Sequence, residues 1–282
     1  MRKGFVLLMA LVGLAMSCGD RNMNNAFESD VEDGEDSIEA FVGDTLHLFD
    51  EEMPPVAADE LFDDFFFNFI DDARYRLRRI AFPLQCGEGE VEEKHFLSKG
   101  EWQELDPFGE NMFHFVIYER EQDLELLKDT AVGSVCVERI FLRQGRLEMF
   151  EFNRIAGKWM LTGMHEENML NTPNGDFLRF YARFVTDSLF QRESLASPVK
   201  VILTAIDEEE EAQEEFVTKD EWFEMQDNTP LFNDVLMNID YGQTCISQNR
   251  KTLMLEGVSN GLQMKFRFNK QEDEWMLMEV EY

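Results

Sequence analysis

The side chains able to move a proton or hold a charge form a short, uneven set. Asp72 and Asp187 recur at an offset of 115 residues. His114 shares one side of a period-two run with Met112, Val116 and Tyr118, which places an imidazole and a phenol on the same strand face. Carboxylate, imidazole and phenol serve as general acids and bases when burial tunes them. Arg74, Arg76, Arg78 and Arg79 cluster at the end of a helical stripe, where positive charge suits the helix dipole. They make either a solvated helix end or an anion site, and the second of two internal copies keeps only Arg192. Cys86, Cys136 and Cys245 occupy unmatched positions and are odd in number, so small buried thiols are expected. An exported chain could still close one bridge, and the spacing does not say which two of the three would pair. With no CxxC or His-rich spacing and only four histidines, His47, His95, His114 and His165, neither a metal nor a cofactor is expected.

Charge narrows the partners. The 282 residues carry 26 basic against 58 acidic side chains, a net charge of -32. Such a field repels phosphate backbones, which excludes nucleic acid as a partner. Solubility accounts for it, with cationic partners or loosely held divalent ions as the other reading.

The elements that must position these groups appear twice. FFFNFIDDARYRLRRIAFPL from Phe65 is matched by FYARFVTDSLFQRESLASPV from Phe180, again 115 residues on. Leu61, Phe65, Phe69, Ala73 and Leu77 make a single apolar stripe on a long helix, and Pro83 forces Ile80 to Cys86 to be extended. Next come Leu97-Ser98-Lys99-Gly100-Glu101-Trp102 and Val217-Thr218-Lys219-Asp220-Glu221-Trp222. In each, Ser or Thr with Glu three residues on predicts a capping box, and the flanking apolar residue staples to Trp. Strands follow over Phe113 to Tyr118 and Val132 to Leu142. Each copy closes on a hairpin, Leu147 to Met164 with a turn at Asn153 to Gly157, and Leu262 to Val280 with a turn at Asn269 to Asp273. Phe150, Phe152 and Trp159 align with Phe266, Phe268 and Trp275 at an offset of 116. The second copy carries an extra acidic stretch, Asp207 to Glu215, expected as an exposed insertion, and Glu166 to Gly175 joins the copies.

The N-terminus is an address. Arg2 and Lys3 precede an apolar run of 12 residues, Phe5 to Met16, too short to span a hydrocarbon core of ~30 Å. Leu14-Ala15-Met16-Ser17-Cys18 resembles a bacterial lipoprotein signal. That resemblance implies a signal peptide over 1–17, lipidation of Cys18 and an anchor in a membrane of the bacterial envelope, outer membrane by preference, facing periplasm or cell surface. A signal cut nearby that leaves a free cysteine is the alternative. Residues 18–58 are dense in acidic side chains with Arg21 as the one base, and read as a lipidated acidic tether stiffened by Pro54-Pro55. The apolar interruptions at Phe41-Val42 and Leu46 to Phe49 either stay in the tether or dock on the first domain.

Helix, strand, short helix, then antiparallel strands closing on an aromatic hairpin is an α+β order. FEFNRIAGKWMLTG and FRFNKQEDEWMLME resemble the closing strands of the nuclear-transport-factor-two-like, or cystatin-like cone, superfamily. The whole assembly is similar to an uncharacterised family of envelope lipoproteins, domain of unknown function 4348. The resemblance implies two tandem cone-shaped domains, 59–166 and 175–282, each a long and a short helix packed on a curved antiparallel sheet. Enzymes of that superfamily hold an acid/base pair inside the cone, which makes Asp72, Asp187, His114 and Tyr118 the candidates. Against this, Asp72 reads as a helix-flanking carboxylate near Arg76, and His114 as a packed or hydrogen-bonded histidine whose place in the second copy falls near Asn233 or Asp234. The expected role is therefore a non-catalytic module binding an unknown small molecule or envelope protein. An isomerase- or dehydratase-like enzyme using one cone is the alternative.

Overall fold

A computed structural model describes residues 61–282 except 89–90, 106, 109–112, 205–211, 226–230, 233, 244, 246 and 258–260. The export signal, Cys18, the tether and the apolar stretches at 41–49 lie outside the described residues. Helix α1 (Phe62–Asp71) forms because Phe62, Phe65, Phe66 and Phe69 fall at three- and four-residue intervals and are all buried. The single long helix expected from the stripe breaks at Asp72. Its backbone is extended (φ −109°, ψ 105°), and its carboxylate accepts from the Arg74 and Tyr75 amides to cap α2 (Ala73–Arg78). Arg76 then folds back and donates to the Phe69 and Ile70 carbonyls at 3.1 and 2.9 Å, occupying the open end of α1. The second copy repeats the plan with α4 (Gly175–Phe184), Asp187 as cap and α5 (Ser188–Glu193). Gly175 is required where it stands, since a Cβ there would lie 2.5 Å from the Met169 carbonyl oxygen.

Strands β1 (Ile80–Glu88) and β2 (Val91–Leu97), helix α3 (Lys99–Leu105), and strands β3 (Phe113–Tyr118), β4 (Ser134–Phe141), β5 (Arg146–Ile155) and β6 (Lys158–Asn168) complete the first copy. Their counterparts are β7 (Leu195–Leu203), β8 (Gln213–Val217), α6 (Lys219–Met225), β9 (Val235–Asp240), β10 (Arg250–Gly257), β11 (Gln263–Gln271) and β12 (Glu274–Glu281). A 3-10 helix, Glu121–Lys128, is specific to the first copy among the described residues. Both capping boxes are present: the Ser98 amide donates to Glu101 at 2.8 Å and the Thr218 amide to Glu221 at 2.7 Å, with Trp102 and Trp222 buried behind them. The hairpin turns are tighter than expected. Ala156-Gly157 and Glu272-Asp273 all have positive φ, the two-residue geometry that matches strand twist. Of the acidic stretch expected as an insertion, Gln213 to Glu215 instead belong to β8.

The strands of both copies join one sheet, where a separate sheet for each was expected. Its order is β2-β1-β6-β5-β4-β9-β3-β10-β11-β12-β7-β8. The order maps onto itself when read backwards with each strand exchanged for its counterpart, so β3 and β9 have traded places. β3 pairs with β10 of the second copy, β9 pairs with β4 of the first, and the two exchanged strands meet in parallel at the centre. The pairs β1–β6 and β7–β12 are also parallel, so the sheet is mixed.

The two cores lie on opposite faces of this sheet. From β3, Phe115 and Ile117 enter the core built on α4, while Val116 and Tyr118 enter the core built on α1. Central strands are thus covered on both sides, and polar side chains there must find partners inside. Asn238 donates to Glu138 at 2.8 Å and accepts from the Ile117 amide at 3.0 Å, which ties the exchanged strands together. Glu119 takes the Lys251 ammonium at 2.9 Å, both side chains being buried.

Candidate functional site

Three of the four acid/base candidates are structural. Asp72 and Asp187 are exposed helix caps, and the amides they accept from (Tyr75 first for one, Phe190 first for the other) hold their carboxyls below the usual range. Tyr118 lies in the α1 core with its hydroxyl 3.3 Å from Glu121, and burial pushes its phenol far up. The arginine cluster is not a free anion site: Arg76 closes α1, and buried Arg79 donates to the Trp159 carbonyl and stacks over Tyr75. Cys86 is buried, Cys136 half-buried and Cys245 exposed, all three as free thiols. Among the described residues no group of His, Cys, Asp and Glu is arranged to hold a metal ion.

His114 is different, because it opens on a cavity of about 320 Å³ against α1. Phe66, Phe67, Ile70 and Leu262 supply an apolar wall, and Asp63, His114, Glu256 and Gln263 supply the polar groups. His114 Nε2 lies 3.1 Å from Glu256 Oε2, and Gln263 donates to Glu256 Oε1 at 2.9 Å. The Tyr241 hydroxyl donates to Asp63 Oδ1. His114 Nδ1 is buried with no hydrogen-bond partner among the described residues. Burial pushes the Asp63 carboxyl up against the opposing pull of Tyr241, whereas the His114 hydrogen bond holds Glu256 down. The cavity therefore offers one carboxylate poised by burial and one clamped by imidazole.

Strand exchange is what builds it. Asp63 and His114 belong to the first copy, while Tyr241, Glu256 and Gln263 belong to the second; Glu256 and Gln263 arrive because β10 lies beside β3, and Tyr241 because β9 lies beside β4. The equivalent places in the second copy are apolar. Leu178 stands for Asp63, Leu236 for His114 and Ile140 for Glu256, and all three are fully buried in the α4 core. At these three positions the fold closes without polar groups, so the acid, imidazole and second acid are not needed to make it.

Sequence reasoning singled out His114 but passed over Asp63, Tyr241 and Glu256. A signal was available for two of them: at the repeat offsets Asp63 and Glu256 stand against Leu178 and Ile140, unlike the landmark positions, where the copies agree. A second cavity, about 430 Å³, lies between Glu119, Arg120, Arg250, Arg267 and Glu279. Its central cation, Arg267, is already held by Glu121, Glu279 and Glu281.

Comparison with known proteins places this geometry in a family. The model of a domain of unknown function, DUF4348, matches residues 43–282. A crystal structure of an NTF2-like protein from Bacteroides fragilis NCTC 9343 superposes with a TM-score of 0.70 at 32% identity, covering 81% of this chain and 98% of that one. No curated protein matches the chain.

Proposed function

Since this chain belongs to the DUF4348 family, we propose that it is an exported, lipid-anchored envelope protein that binds a small molecule in the cone of its first copy without transforming it. Each copy forms one cone, on opposite faces of the shared sheet. The one against α4 is filled by apolar side chains of both copies and acts as scaffold. The observation that carries the binding reading is the asymmetry between copies, with Asp63, His114 and Glu256 on a cavity where Leu178, Leu236 and Ile140 fill the other cone. Half-buried polar groups at places whose counterparts are filled by apolar side chains point to use rather than to structure. The address rests on Arg2-Lys3, the apolar run and the Ser17-Cys18 junction.

The test is gentle detergent extraction of the native lipoprotein followed by mass spectrometry of whatever small molecule accompanies it. A molecule recovered from the parent and lost from a folded His114→Ala variant supports the reading. Its retention by that variant, or recovery of an envelope protein alone, counts against it.

One observation favours a second reading. His114 shares a cavity with the desolvated Asp63, the pairing a proton-transferring isomerase or dehydratase would use. Prolonged incubation with the recovered molecule separates the two: an unchanged ligand fits a binding protein, a shifted double bond or lost water an enzyme.

A further inference from the structure

We infer that the ligand of the first-copy cavity is a small organic cation, a primary amine on a compact apolar body, held between Asp63 and Glu256. The inference rests on that cavity being a binding site. Among the described residues its lining holds two carboxylates and neither Lys nor Arg. The nearest ammonium acting on Glu256 is Lys265, which is itself engaged by Glu281 at 2.9 Å. A carboxylate or phosphate entering here would meet two acids, with the one basic side chain of the described lining, His114, already taken by Glu256, inside a chain of net charge -32.

An ammonium suits the site on each count. It carries donors only, and the site presents acceptors: Asp63 Oδ2, which takes no hydrogen bond among the described residues, and the remaining lone pairs of Glu256. The rings of Phe66 and Phe67 flank the same space and can face a cation, while Ile70 and Leu262 cover an apolar tail. A volume of about 320 Å³ admits one ring and a short chain, not an oligosaccharide or a nucleotide. Asp63 is faced by Tyr241, His114 and Glu256, with Asp64 beside it on the same helix, and burial pushes its carboxyl up. Amine affinity therefore rises with pH as that carboxyl ionises, and affinity for a neutral analogue does not.

The experiment is calorimetric titration of the full-length chain in detergent with 2-phenylethylamine, 2-phenylethanol and 3-phenylpropionate. The amine should bind at least about tenfold more tightly than the alcohol, the margin of one charge-assisted hydrogen bond, and the acid should give no heat. Asp63→Asn and Glu256→Gln should each remove most of the preference. Phe67→Ala, at a rim residue 40% exposed and thus safe for folding, should weaken binding of amine and alcohol both, the amine more because a ring facing the cation is lost. Equal affinity for amine and alcohol, or preference for the acid, overturns the cation inference and leaves the cavity a binding site. Heat from none of the three overturns it as well, and so does a co-purified molecule without a basic nitrogen. The binding reading itself falls instead to absence of any co-purified molecule, to its retention by His114→Ala, or to recovery of an envelope protein alone.

Discussion

Giving the first cone the side chains of the second should make the protein more stable and unable to bind. The change is Asp63→Leu, His114→Leu and Glu256→Ile together, copying Leu178, Leu236 and Ile140, in a Tyr241→Phe background so that no buried hydroxyl is left without Asp63. His114 and Glu256 are 12% and 23% exposed, so their pair is largely desolvated. Replacing such a pair by apolar groups is neutral or stabilising by about 1–4 kcal/mol. The cavity of about 320 Å³ leaves room for the larger aliphatics, which limits overpacking. In a unit of this size each kcal/mol moves the melting temperature by roughly 2–4 °C. Urea and thermal melts should therefore show the triple variant level with the parent or several degrees above it. Glu256→Ile alone should fall below both, because it strands His114 beside Asp63 without its clamp. A triple variant less stable than the parent by more than about 2 kcal/mol would refute the reasoning, since the polar groups would then be structural.

Other outcomes follow from the same geometry. Asp72→Asn and Asp187→Asn should leave ligand binding intact, since Asn also caps helices, and binding lost from either folded variant would return it to the site. Trp102→Ala and Trp222→Ala should each cost about 3–5 kcal/mol in a chemical melt, and a parent-like melt of either would remove it from the core. Burial raises the Glu138 carboxyl to about 7. A carboxyl raised on folding makes stability decline as pH climbs from the unfolded value toward 7, so Glu138→Gln should flatten that slope and gain about 1–3 kcal/mol above pH 7. Cys18→Ala should abolish fatty-acid labelling and release the chain from the membrane fraction, and unchanged labelling would contradict the anchor.

What the sequence by itself determined is local. The capping boxes at Ser98 and Thr218, the aromatic stripes on α1 and α4, and the extended segments before Pro83 and Pro198 rest on contacts a few residues apart, which periodicity and residue type report directly. The duplication was equally plain, because matched landmarks need no structure to be counted. The break at Asp72 was missed because the apolar spacing runs through it, and only the carboxylate's own hydrogen bonds to the Arg74 and Tyr75 amides end the helix.

Tertiary structure alone decided which strand lies beside which. β3 and β9 alternate in the same way, so either could have lain beside β4 or β10 with its apolar residues correctly faced. The cores chose the exchange, and the exchange carried Glu256 and Tyr241 from the second copy to His114 and Asp63 of the first. In a chain this acidic, Asp63 and Glu256 look like two more solvated charges. Their burial is a consequence of packing between residues 178 and 142 positions apart in sequence, a distance no local pattern encodes.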